Sequence, residues 1–304
     1  MNVSSDSRMN FELDMLATIQ RFKKDLVKLI PYVPKNKEAK DFLLSLGVDM
    51  LIHMHDFWRH RLIEIRPREV EIASWIRNST AYINNKEKIN KLMTIVRGGG
   101  DINCYLSEKV HSRALDVEAF KADRDFMRSR DRMLVCEGFH HLHLEPYPGR
   151  TNYLIIAKVF RSRMDVIGVF PHAIFDDDCL SSVRASYESA LEKYSRMLAP
   201  AGGFFIGGPG GGMQNLAGSS VESTFFHTGT YKIIKLIEEY NGGLEEYTRG
   251  LYAQRGRSPR KINPVWVLDG RSLEIHDKVN KTIFKGDDIR VNVRGGCLTP
   301  IRES

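Results

Sequence analysis

The hydrophobic period of this chain changes at Phe139, and the change constrains what it can fold into. From Phe139 to Phe170 the apolar residues follow a period of two. Before it they recur every three or four positions. Three stretches, Phe139–Leu144, Tyr153–Phe160 and Met164–Phe170, have the length and composition of strands. Arg161-Ser162-Arg163 is short enough to turn the second strand into the third, and a loop with Pro146, Pro148 and Gly149 joins the first two. Consecutive strands on short links predict an antiparallel β-meander. In a meander the end of the first strand, the start of the second and the end of the third share one end of the sheet.

The segments on either side read as helices. Phe11, Met15, Ile19, Phe22, Leu26 and Leu29 make one apolar stripe over 10–30, ended by Pro31 and Pro34. Asn36 is placed to cap a second helix through Leu46. Further helices are predicted over 48–63, 70–83 and 86–96, the last closing on Gly98-Gly99-Gly100. After the sheet, helices are expected over 181–198, 229–240 and 244–254. A hairpin follows, Val265–Leu268 with Ser272–Ile275 around Asp269-Gly270-Arg271, and Thr282–Phe284 is a candidate edge strand. The expected class is α+β, in three consecutive parts. These are a helical region over 1–100, a sheet core over 101–200, and a last region over 201–304 with a Gly-rich hinge at 202–212, helices and the hairpin. The alternating charges of Lys121–Arg132 read as an exposed join between the first two parts.

Four of the ten histidines, His140, His141, His143 and His172, lie on or just after the meander. Side chains alternate along a strand, so His141 and His143 share a face, about 7 Å apart at roughly 3.3 Å per residue. His140 points with Leu142 and Leu144 and is expected to be a buried, hydrogen-bonded core residue. The meander brings His172 to the same sheet end as His143. Two imidazoles can serve as base and acid near neutral pH, because their unperturbed pKa of about 6.5 keeps both forms populated. RNA cleavage needs that pair and a cation to steady the phosphorane. The candidate catalytic residues are His141, His143 and His172, with Arg150 as the cation in preference to Lys158, because Arg150 lies at their end of the sheet. No cofactor is required by this scheme.

Two other chemistries compete. His-x-His on a strand is a common metal-ligand pair, and Asp176-Asp177-Asp178 offers oxygen ligands nearby. His53, Asp56 and His60 also share a helical face. The His-x-His strand would make a metal-dependent hydrolase. Separately, Arg59, Arg61, Arg66 and Arg68 form a basic run able to neutralise phosphates, which suits a non-catalytic nucleic-acid- or protein-binding component.

The formal charge of +7 and pI near 9.1 permit a polyanionic partner. Cys104, Cys136, Cys179 and Cys297 are too scattered for a zinc or redox motif and read as free thiols. The chain shows neither an apolar run long enough to span a bilayer nor a signal-peptide pattern, so the expected compartment is the cytoplasm, with no membrane partner. The glycines of 202–212 lack the Gly-Lys-Ser/Thr of a nucleotide-binding loop.

Helices followed by an antiparallel sheet bearing His and Arg resemble the compact ribonuclease toxins of the RelE, barnase and EndoU kind. The runs His140-His141-Leu142-His143-Leu144, Ile156-Ala157-Lys158-Val159 and Ile167-Gly168-Val169-Phe170-Pro171-His172 also resemble uncharacterised bacterial proteins linked to mobile elements and phage defence. The resemblance covers about residues 100–180. It implies a toxin-like endoribonuclease acting on RNA in antiviral defence, restrained by an antitoxin or another protein of a defence complex.

Overall fold

The computed structural model describes residues 13–107, 110, 114–123, 133–149, 151–176, 178–198, 213, 220–240, 242–289, 292–294 and 297–299. In chain order its elements begin with α1 (Ala17–Leu29), β1 (Tyr32–Val33), α2 (Lys37–Ser45), α3 (Val48–Arg59) and β2 (Glu69–Ile72). Next come α4 (Thr80–Asn84), α5 (Lys86–Gly98), β3 (Leu115–Asp116), α6 (Val117–Asp123), β4 (His140–His143), β5 (Tyr153–Val159) and β6 (Arg163–Pro171). The remainder is α7 (Ser181–Leu198), α8 (Val221–Tyr240), α9 (Gly243–Gln254), β7 (Pro264–Asp269), β8 (Ser272–Asp277), β9 (Thr282–Phe284), and the short antiparallel pair β10 (Asn292–Arg294) and β11 (Cys297–Thr299). The fold is α+β, as its alternating periods predict.

These elements belong to two compact units. One is drawn from Met1–Arg59, Ala114–Phe126 and Ser223–Ser304, the other from His60–Arg113 and Met127–Glu222. The units therefore do not follow three consecutive parts. The predicted helical region over 1–100 is divided after Arg59, because β2 and α5 pack on the central sheet.

In the first unit, α1 buries Ile19, Phe22, Leu26 and Val27 and packs on α3 and β7. Asn36 caps α2 as expected, its Oδ1 accepting from the Ala39 N–H at 2.8 Å. Strands β7, β8 and β9 form an antiparallel sheet in that order, with Trp266, Ile275 and Phe284 in its core. Helix α8 starts at Val221, eight residues before its predicted start, and runs through Gly229 unbroken.

The second unit holds the meander. Its sheet has the order β2-β6-β5-β4, with β4 to β5 and β5 to β6 antiparallel as predicted. The helix predicted over 70–83 does not form. Glu69–Ile72 is a strand parallel to β6, followed by a single 3₁₀ turn (Ser74–Ile76) and the short α4. Glu69-Val70-Glu71-Ile72 alternates with period two, and β6 supplies the long-range partner that four residues cannot signal alone.

Helices cover both faces of this sheet. Leu142, Leu144, Ile155, Ala157, Met164 and Val166 pack with Ile89, Leu92, Met93 and Val96 of α5 on one face. On the other, Phe139, Leu154, Ile156, Ile167 and Phe170 meet Ala190, Leu191 and Tyr194 of α7. Between Ile156 and Ala157 the register to β6 shifts by one residue, leaving Ile167 as a bulge whose carbonyl accepts from Trp75 Nε1 at 3.0 Å. Beside it, Gly168 has no room for a side chain, since a Cβ there would collide with the Phe170 ring.

Candidate acid–base site at the end of the meander

Strand β4 is the sheet edge, so its residues have one strand neighbour, β5. His141 pairs with Ile156 and His143 with Leu154. Leu154 pairs in turn with Phe170 of β6, so His143, Leu154 and Phe170 form a row on the α7-facing side. His143 is 7% exposed within it. The ends of β4 and β5 are tied by Thr151, whose Oγ1 accepts from the Leu144 N–H at 3.1 Å and donates to the Tyr153 carbonyl at 2.7 Å.

After Pro171 the chain makes a 3₁₀ turn over His172–Phe175. The His172 N–H donates to the Asn152 carbonyl at 2.8 Å, which fixes the turn against the start of β5. The His172 ring consequently lies against His143, with centroids 5.9 Å apart and planes 27° apart. Phe175, 44% exposed, touches both His141 (5.4 Å between centroids) and His172 (5.8 Å). Three histidines and one exposed aromatic ring thus share this sheet end. His143 is enclosed and His172 is open to solvent.

Phe175 is absent from the sequence-based site. Its signal is the i, i+3 spacing from His172, which aligns two side chains on a 3₁₀ turn. A second omission is Arg184 on the first turn of α7, exposed and donating to the Asp176 carbonyl at 2.8 Å. Arg150, the cation chosen from the sequence, lies outside the described residues. Lys158, its alternative, sits at the far end of β5 from His143, where burial lowers its pKa and Phe160 lies under its ammonium.

His140 points to the opposite face, as the alternation requires. Its ring nitrogens are sealed from solvent, but neither has a hydrogen-bond partner among the described residues. The expected hydrogen bond is therefore missing. Burial drives the imidazole pKa down to about 3, with His60, His141, Lys158 and Arg68 adding positive charge nearby, so the ring is held neutral.

Two of the four arginines of the run are withdrawn from solvent. Arg59 ends α3 in the first unit, while Arg61, Arg66 and Arg68 belong to the second. Arg61 and Arg68 are buried. Arg68 donates from Nε to the Phe160 carbonyl (2.8 Å) and from Nη1 to the carbonyls of Glu64 (2.8 Å) and Arg66 (3.3 Å), joining the β5–β6 turn to the chain entering β2. Arg66 is half-buried and pairs with Glu64 at 3.3 Å. The distant Phe160 carbonyl and two local carbonyls make Arg68 a structural clamp.

The metal reading of His53, Asp56 and His60 is likewise displaced. Asp56 has 0% exposure and is held by Arg271 through Nε (2.7 Å) and Nη2 (3.1 Å), with Ser223 Oγ also donating to it. His53 stacks on His227 of α8 with centroids 4.1 Å apart, and burial together with His227 lowers its pKa to about 4. His60 falls beyond the helix, in the other unit. Among the described residues no group of three or more His, Cys, Asp or Glu side chains is arranged to hold a metal ion, and no helix is long and apolar enough to cross a membrane.

Comparison of the chain with family models, with curated proteins and with solved structures finds no match.

Proposed function

We propose that the end of the meander is a histidine acid–base site that cleaves RNA without a metal ion, and that the protein acts as a toxin-like endoribonuclease. The observation that carries this reading is the approach of His143, on β4, and His172, in the turn after β6, to 5.9 Å between ring centroids. A phosphodiester bound across the solvent-facing edge of this pair would meet a nitrogen of each ring, one for its 2′-hydroxyl and one for its 5′-oxygen.

In the reaction one imidazole accepts the 2′-hydroxyl proton and the 2′-oxygen attacks phosphorus. The bond from phosphorus to the 5′-oxygen breaks, and the second imidazole donates a proton to that leaving oxygen. The products are a 2′,3′-cyclic phosphate and a 5′-hydroxyl. His143, enclosed beside Leu154 and Phe170, suits the base, and solvent-exposed His172 suits the acid that is recharged by water. Phe175, 44% exposed and in contact with His141, offers a ring on which a base next to the scissile bond stacks. Arg184 and Arg150 are the proposed cations for the phosphorane. An antitoxin or defence-complex partner would act by covering this sheet end.

The test is cleavage of an end-labelled RNA in excess EDTA, beside the same RNA with a single 2′-deoxy nucleotide. The expected result is metal-independent cleavage that leaves 2′,3′-cyclic phosphate ends and stops at the deoxy position. Intact RNA, or cleavage at the deoxy position, would contradict the proposal.

A further inference from the structure

The first unit carries a second feature that the histidine site does not use. The segment after α9, Arg257-Ser258-Pro259-Arg260-Lys261, and the β8–β9 turn, Lys278-Val279-Asn280-Lys281, lie side by side. Asn280 Nδ2 donates to the Lys261 carbonyl at 2.8 Å, and the Lys278 N–H donates to the Asn263 carbonyl at 3.0 Å. From elsewhere in the unit, Arg249 Nη1 reaches the Pro259 carbonyl at 3.4 Å, and Arg21 Nη1 reaches Asn263 Oδ1 at 3.3 Å. The backbone under the patch is thus fixed at three points, with a side-chain contact to Asn263 beside them.

Arg257, Arg260, Lys261, Lys278 and Lys281 are all exposed, and none has a carboxylate partner among the described residues. The acid inside the turn, Asp277, does not offset them at the surface. It is buried, and its oxygens accept from Tyr252 Oη, the Asn263 and Val279 N–H groups and Asn280 Nδ2, which together hold its pKa down to about 2. Arg255 is already occupied, pairing with Asp288 at 2.9 Å and lying over the Phe284 ring.

We infer that this loop and turn form a docking surface for the phosphodiester backbone of a nucleic acid strand. Uncompensated cations on a pinned backbone match a line of phosphates, whose counterions they release on binding. The exposed apolar residues of the patch, Val279 and Ile283, are too few for the desolvated core of a protein interface, from which lysine is depleted. They also lack the large apolar face by which a helix enters a membrane surface. The patch is independent of the histidine site, and either can fail alone.

The experiment measures binding of the full chain to fluorescent 20-nucleotide single strands by anisotropy. A 2′-O-methyl RNA, which has no free 2′-hydroxyl to attack, separates binding from cleavage. A DNA of the same sequence distinguishes the sources of the phosphodiester, and an acidic peptide is the competing ligand. Five phosphate contacts predict that affinity falls about 100-fold between 50 and 200 mM salt. The R257Q/R260Q/K261Q/K278Q/K281Q variant is expected to keep the wild-type melting temperature, bind about 100-fold more weakly and lose most of the salt dependence. Lys91→Gln, an exposed lysine of α5 outside the patch and the histidine site, is expected to bind like wild type. The inference is overturned if the wild type binds neither oligonucleotide at 50 mM salt, if the five-fold variant binds as the wild type does, or if only the acidic peptide binds.

Discussion

The imidazoles of His143 and His172 are 29 positions apart in the chain and 5.9 Å apart in space, with their planes inclined by 27°. Strand β5 makes this possible. It lies between β4, which carries His143, and β6, which leads into the turn that carries His172, and the hydrogen bond from the His172 N–H to the Asn152 carbonyl folds that turn back over its start. One of the two rings is enclosed and the other is open, so the pair has the distinct environments that the proposed base and acid require.

His140, one residue before that site, makes a prediction about stability. Its ring nitrogens are buried without partners, so His140→Leu removes two desolvated polar atoms and should stabilise the protein by about 1 kcal/mol at pH 7. The pH dependence should change as well. A histidine whose pKa falls on folding stays neutral in the native state, while the unfolded chain takes up a proton below pH ~6.5. Stability is therefore lost as pH drops from that value towards the folded pKa, about 3 for His140 and about 4 for His53 and His55. Each such group contributes a slope of about 1.4 kcal/mol per pH unit within its window. Urea titrations at pH 7, 6, 5 and 4 should show a shallower fall for His140→Leu than for wild type. Equal slopes would mean that the ring is charged in the folded protein.

Arg68→Ala should damage the fold and not nucleic-acid binding. Three backbone carbonyls lose a charged donor on the buried side of the β5–β6 turn, at a cost of about 2–4 kcal/mol. Denaturant unfolding reads the loss. Oligonucleotide affinity, measured where both proteins are folded, should stay within twofold of wild type. A variant of unchanged stability with weaker binding would return Arg68 to the surface role read from its sequence context.

Asp56 and Arg271 should behave as a buried pair. Arg271→Ala leaves a fully buried carboxylate whose guanidinium partner is gone, a change that costs about 3–5 kcal/mol. Replacing both residues, as Asp56→Leu with Arg271→Met, should be milder than the single change, because no charge is then stranded. A double variant less stable than Arg271→Ala would show that the pair contributes more than the mutual relief of its own desolvation.

The parts of this fold legible in the sequence are those with long, consistent periods. The meander strands and α7 carry enough apolar repeats to place themselves, and Asn36 marks its helix by the chemistry of its side chain alone. Strand β2 was hidden because Glu69–Ile72 offers two apolar residues among helix-forming neighbours, and its state depends on pairing with Arg163–Val166 far along the chain. Gly229 suggested a boundary that tertiary packing overrides inside α8. The meander topology indicated that His143 and His172 would share a sheet end. The contact of Phe175 with His141 and His172 depends on the 3₁₀ turn, and the burial of Arg68 on the Phe160 carbonyl from another segment. Composition carries no sign of either.

The most direct measurement is the single-turnover rate of RNA cleavage in EDTA for wild type, His143→Ala, His172→Ala and the double variant. His172 is exposed, so its removal should leave the melting temperature within a few degrees and act on the chemistry alone. A base and an acid working in one step predict that each single variant is slower by about 10²–10⁴-fold, and that the double variant falls well short of the product of the two losses. A His172→Ala enzyme that cleaves RNA at the wild-type rate would contradict the account.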